Sequence, residues 1–247
     1  MKVLKEFKSV AGFLTIFPVN EGSLIDAING MYFFPIIGAI VGFTAGVFSL
    51  LISYFISRLL ASSLTLGFLL LITGLHHLDG LADFGDGIMC SGTKEDRLKA
   101  MHDVSLGVGG LTLTILVSLS SIFAISQLNF NFLLQTLTAS ETSAKLSMVF
   151  LALTSKPAYN GLGASFINGM KGKKGLIKFS AALILSLIII FPLLSFSGVL
   201  ILISGLLASL IILIVSNIKL GGVTGDVFGA VNEVSRMISL ITASLVV

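Results

Sequence analysis

The stretch Phe179–Ser216, FSAALILSLIIIFPLLSFSGVLILISGLLASLIILIVS, contains no charged side chain. At 1.5 Å rise per residue, one continuous helix of this length would exceed the ~30 Å hydrocarbon layer of a bilayer roughly twofold. Pro192 and the run Ser195–Gly198 interrupt it. Proline removes a backbone donor and glycine loosens the chain, so the spacing predicts a tight turn there between two membrane-spanning helices.

The rest of the chain follows the same pattern. Of its 247 residues, 55% are hydrophobic and only 11% charged. Mean hydropathy is +1.06. A soluble domain carries about 25% charged residues, so most of this outer surface faces lipid. Further apolar runs predict spans at about Phe33–Phe55, Leu60–Leu75, Leu106–Ile125, Phe132–Leu153 and Val227–Val247. With the divided stretch, that makes an all-α polytopic membrane bundle of about seven helices in a single domain. Before it lies MKVLKEFKSVAGF, which lacks the apolar core and cleavage site of a signal peptide. It predicts an amphipathic interfacial helix, with Leu4, Phe7, Val10 and Ala11 toward lipid and Lys2, Lys5 and Lys8 toward headgroups.

Charge placement orients the bundle. With the N-terminus inside, twelve basic residues fall on the cytoplasmic side, among them Lys94, Arg97, Lys99, Lys156, Lys171, Lys173, Lys174 and Lys219. Only Arg58 falls in an outer loop, and Lys145 and Arg236 lie within helices. This predicts a plasma-membrane protein whose N-terminus and acidic segment are cytoplasmic. The net charge of +3 is small and the basic residues do not interleave with stacking aromatics, which argues against nucleic-acid binding. A single cysteine, Cys90, excludes a disulfide framework and a cysteine-rich metal site.

The few acids carry the chemistry. Asp79, Asp83 and Asp86 stand in LHHLDGLADFGDG, at spacings that put all three on one helix face. Three carboxylates on one face repel unless a divalent cation lies among them, and hard oxygen donors without a thiolate favour Mg²⁺ or Mn²⁺. The competing reading is a solvated acidic loop. Gly80 beside Asp79 leaves room for a substrate against the backbone. His77, like His76, stands where it suits substrate or phosphate binding, or caps a helix. In KEDRLKAMHDVSLGVGG, Glu95 and Asp96 read as solvated, whereas Asp103 precedes Gly107 and Gly110 at a helix start suited to phosphate. Glu141 and Lys145, four apart inside a span, are either functional or a structural ion pair. A second acidic, glycine-rich patch, GGVTGDVFGAVNEVSR, holds Gly222, Thr224, Asp226 and Asn232 on the same side of the membrane. Together the two patches suggest one site closed by both.

The chain resembles the cobalamin-5′-phosphate synthase family, the adenosylcobinamide-GDP ribazoletransferases. The resemblance rests on FLTIFPV (Phe13–Val19), YFFPIIGAIVG (Tyr32–Gly42), TGLHHLDGLADFGDG (Thr73–Gly87), RLKAMHDVSLGVGG from Arg97, GLG (Gly161–Gly163) and GGVTGDVFGAVNEVS from Gly221. The order is preserved over nearly the whole chain. Where the family often has Thr-Arg, this chain has Thr15-Ile16, so no substrate contact is assigned there. The resemblance implies Mg²⁺-dependent transfer of the phospho-adenosylcobinamide group from adenosylcobinamide-GDP to α-ribazole or its 5′-phosphate, releasing GMP. It implies Asp79, Asp83 and Asp86 as metal ligands and catalytic residues, with Asp103 or Asp226 as a further ligand or base. His77, Gly80, Gly107, Gly110, Glu141, Lys145, Gly222, Thr224 and Asn232 would contact substrate. Two alternatives remain: a CDP-alcohol-type phosphotransferase, whose Asp-Gly-x-x-Ala-Arg run is broken here at Asp83, and a cation transporter. A homo-oligomer is compatible with these motifs, which do not set the oligomeric state.

Overall fold

The computed structural model describes residues 2–19 and 22–247. Among them the chain forms eleven α-helices: α1 (Lys2–Leu14), α2 (Leu24–Asn29), α3 (Phe34–Ser53), α4 (Arg58–Ile72), α5 (His76–Met89), α6 (Lys94–Met101), α7 (Val108–Gln127), α8 (Leu133–Thr154), α9 (Leu162–Gly169), α10 (Gly172–Lys219) and α11 (Gly225–Val246). The protein is all-α and membrane-embedded. By length and apolarity, Met31–Ser53, α7 and α10 each suffice to cross a bilayer, and α4 and α5 reach that length and apolarity only together, as a pair bent by 95°. Their outer faces are largely apolar over the middle of the spans. On α7 these include Leu111, Ile115, Leu119 and Phe123, and on α10 Ile184, Ile188, Leu207 and Ile214, all exposed. Contiguous exposed apolar surface on this scale marks lipid contact.

The uncharged run does bend where the sequence places a turn. Helix α10 leaves helical geometry at Ser195 (φ 50°, ψ −131°), three residues after Pro192. It is therefore two arms.

Two expectations need correcting. The second span ends at Ile72, not Leu75. Thr73 turns its hydroxyl back onto the Leu69 carbonyl (2.9 Å), and Gly74 and Leu75 both adopt positive φ, 70° and 63°. Glycine adopts this left-handed geometry freely and stops the helix there. The chain swings by 95° into α5, which lays the acidic segment across the bundle instead of along it. In α1, Val10 does not face lipid. It is buried with Glu6 and Leu14, because Glu6 accepts the Tyr32 hydroxyl (2.7 Å) and draws that face onto the protein. Lys2, Lys5 and Lys8 stay exposed as expected.

Helix α8 is the axis of the fold, buried on all sides along most of its length. Small residues let its neighbours approach closely. Gly38, Gly42 and Gly46 form a stripe on α3 against it, and a Cβ on Gly42 would lie 2.5 Å from the Leu137 carbonyl oxygen. Close backbone approach at such stripes gives van der Waals contact where lipid offers no hydrophobic drive. Serines stitch the other side: Ser239 donates to Ser143 (2.9 Å), Ser209 to the Ser147 carbonyl (3.1 Å) and Ser235 to the Gly205 carbonyl (3.0 Å).

Candidate active site

Helix α5 carries the three aspartates on a face exposed at Asp79 and half-buried at Asp83 and Asp86, and the buried glycines beside that face decide its neighbours. A Cβ on Gly80 would sit 2.7 Å from the Asp226 carbonyl oxygen, and one on Gly229 would sit 2.8 Å from that of His77. These two glycines let α11 cross α5 almost backbone to backbone. On the other side, Gly109 and Gly110 of α7 meet the Gly85 and Ala82 carbonyls as closely. Gly80 and Gly110 are thus taken up by helix packing, not left free for a substrate.

Asp86 has a defined local role. Helix α7 begins at Gly107, which has no side chain to cap it. Asp86 takes that place from the neighbouring helix, accepting the N–H of Gly107 and that of Gly110, each at 2.8 Å. A carboxylate there satisfies orphan donors and faces the positive end of the helix dipole.

The start of α11 is fixed similarly. Thr224 caps it by accepting the Val227 N–H, and donates its hydroxyl to Asp226 (3.1 Å). The Ala158 N–H bonds to the Val223 carbonyl (3.0 Å) and the Val223 N–H to the Lys156 carbonyl (2.9 Å). Gly222 permits this bridge, since a Cβ there would lie 2.6 Å from the Ala158 nitrogen. The bridge carries Tyr159 to the site. Burial, and then the negative charges of Asp226 and Asp83, push the Tyr159 hydroxyl above its usual pKa. Its ring meets that of His102 edge-on at 5.6 Å.

Two cavities flank α5. One, of about 550 Å³, is lined by His76, His77, Asp79, His102, Tyr159 and Asp226, with an apolar floor from α1, α3, α9 and α11. The other, of about 700 Å³, has Asp86, Asp103 and Gly107 at its polar end and runs along the exposed face of α7 to Leu116. Asp83 is half-buried on α5 between Asp79 and Asp86, and the charges of Asp226, Asp79 and Asp86 all bear on it. Asp103 is solvent-exposed, and the Ser105 N–H (2.9 Å) holds its carboxyl below the usual range.

Among the described residues, the ion pairs are those of Arg236 with Glu141 and Glu233. Asp79, Asp83, Asp86 and Asp226 have no salt-bridge partner among the described residues. No three acidic, histidine or cysteine side chains among the described residues converge closely enough to hold a metal by themselves. This donor set fits a Mg²⁺ ion held by one or two carboxylates, with water and substrate phosphate completing its shell.

Glu141, Lys145 and Asn232 lie elsewhere. They line neither cavity and are buried between α8 and α11. Arg236 bonds Glu141 and Glu233 (2.6 Å to the latter), Asn232 donates to Glu233 (2.9 Å), and Lys145 donates to Asn232 (2.5 Å). Two acids and two cations balance inside the bundle. Their sequence signature, ionisable residues at membrane depth, is the same for a structural network as for a binding site. His102 and Tyr159 were missed as site residues, since a lone histidine and a loop tyrosine carry no spacing signal.

Fold and site together define a membrane-embedded α-helical protein with an acidic cavity where two helix starts close on a crossing helix. The cobalamin-5-phosphate synthase family model matches residues 6–244, so the chain belongs to that family and is an enzyme, a transferase. It is 35% identical to the adenosylcobinamide-GDP ribazoletransferase of Methanosarcina barkeri, over 96% of this chain and 91% of that one. It is 32% identical to the enzyme of the same name from Pyrococcus abyssi, over 96% and 97%. No solved structure matches the chain.

Proposed function

We propose that this protein transfers the phospho-adenosylcobinamide group of adenosylcobinamide-GDP to α-ribazole or its 5′-phosphate, releasing GMP, with Mg²⁺ and on the cytoplasmic side of the plasma membrane. A ribose hydroxyl forms a new bond to the phosphorus attached to cobinamide, and the bond from that phosphorus to GMP breaks. The observation that carries this reading is the crossing of α5 and α11 through Gly80 and Gly229, which puts Asp79 and Asp226 on one cavity beside Asp83.

Asp79 and Asp83 would hold the Mg²⁺, with Asp226 on the same cavity left free of it. Bound there, it supplies charge neutralisation at the transferring phosphate. Asp226, steadied by the Thr224 hydroxyl, takes the proton of the attacking ribose hydroxyl. Tyr159, kept protonated, donates a hydrogen bond at the rim. Asp86 orients the start of α7. Asp103 stands apart from Asp79 and Asp226, at the second cavity, and the proton falls to Asp226 for that reason.

The test is turnover by purified protein in lipid nanodiscs given adenosylcobinamide-GDP, α-ribazole and Mg²⁺, with GMP measured chromatographically. Stoichiometric GMP and a cobalamin product are expected. Intact adenosylcobinamide-GDP after prolonged incubation would count against the reading.

A further inference from the structure

The 550 Å³ cavity has an exposed polar mouth and a mostly apolar buried part, where His77 is the buried polar side chain of the lining. His76, Asp79, His102 and Tyr159 are exposed at its mouth, while Phe34, Met148 and Phe166 are buried at its floor. Phe166 of α9 is the centre of an aromatic cluster. Its ring lies 4.8 Å from Phe13 of α1, 6.2 Å from Phe34 of α3 and 6.2 Å from Phe228 of α11, and all four rings line the cavity. Rings from four separate helices meeting below a carboxylate rim make a slot for a flat apolar body bearing a polar group at one end.

Resting on the proposed reaction, we infer that this floor is the subsite for the base of the acceptor nucleoside, with the ribose hydroxyls directed up to Asp79 and Asp226. The reaction presents two aromatic bases, the benzimidazole of ribazole and the guanine of the donor. Guanine has ring and exocyclic polar groups that cost free energy when buried unpaired. Phe13, Phe34, Met148, Phe166 and Phe228 offer it no donor or acceptor. A benzimidazole presents a hydrocarbon edge that needs none.

The chain has no tryptophan and three tyrosines, so benzimidazole fluorescence reports α-ribazole binding once the tyrosine signal of the ligand-free protein is subtracted. Phe166→Leu keeps an apolar floor and removes the stack. It is expected to weaken α-ribazole binding between about fivefold and a hundredfold, the range that loss of one base–aromatic stack gives. The KM for adenosylcobinamide-GDP should move by no more than about twofold, which also certifies the fold. GMP should fail to displace α-ribazole. An unchanged α-ribazole affinity in Phe166→Leu, an equal loss for both substrates, or displacement by GMP would each overturn the subsite. Those results leave the reaction intact, whereas absence of GMP release from the wild-type protein with any riboside strikes the reaction itself.

Discussion

Asp86 of α5 accepts the backbone N–H of Gly110 at 2.8 Å, so an acid from one helix caps the first turn of another. This separates Asp86 from Asp79 and Asp83 in kind. Asp79→Asn and Asp83→Asn should each lower GMP release at least about a hundredfold, since a lost charge contact to the transferring phosphate acts in the transition state. Thermal stability should hold. Asp86→Ala should lower activity and also cost about 1 kcal/mol of stability, as removal of a cap does. Melting of the three variants in detergent beside their turnover numbers tests this, and equal stability of all three would refute the capping role.

The α5–α11 crossing depends on hydrogen atoms at Gly80 and Gly229. Gly80→Ala places a methyl 2.7 Å from the Asp226 carbonyl oxygen, which must move. Such overpacking costs about 1–3 kcal/mol and here widens the gap between Asp79 and Asp226. The expected result is a folded, membrane-inserted protein with kcat reduced more than KM. Wild-type kinetics in Gly80→Ala would show that the crossing does not set the site.

Arg236 is 1% exposed and holds both Glu141 and Glu233. Arg236→Met leaves two buried acids without their partner and should destabilise by about 3–5 kcal/mol. Adding Glu141→Gln to Arg236→Met should recover part of that loss. A single variant as stable as wild type, by denaturant titration in mixed micelles, would remove the network from the fold's support.

Divalent metal should be required and exchangeable. Asp79, Asp83 and Asp226 have no basic partner among the described residues, and a hard-oxygen site of this kind gives up Mg²⁺ readily. EDTA should abolish turnover and excess Mg²⁺ restore it, with the helical circular dichroism unchanged throughout. Full activity in EDTA would end the metal assignment.

Orientation is tested by labelling. In a Cys90→Ser background, single cysteines at Lys94 and Lys173 should react with an impermeant thiol reagent from the same, cytoplasmic side. Their appearance on opposite sides would overturn the charge-based topology.

The sequence by itself determined the solvent and the material. Phe179–Ser216 without a charge requires lipid, and Pro192 with Ser195 requires a break, because local backbone chemistry and hydropathy act on neighbours in the chain. The helical phase of Asp79, Asp83 and Asp86 was legible for the same reason, as were, to within two residues, the helix starts expected at Leu106 and Val227 and found at Val108 and Gly225. The tertiary structure decided what these residues face. The left-handed turn at Gly74 and Leu75 laid α5 across the bundle. Gly80 and Gly110, read along the chain as room for substrate and phosphate, became contact surfaces between helices, as did Gly85, Gly109 and Gly229. Glu141, Lys145 and Asn232 turned inward to Glu233 and Arg236, and His102 and Tyr159 came to the cavity from loops. Each of these outcomes depends on which backbones approach closely, a property of helices packed side by side that no spacing within one helix encodes.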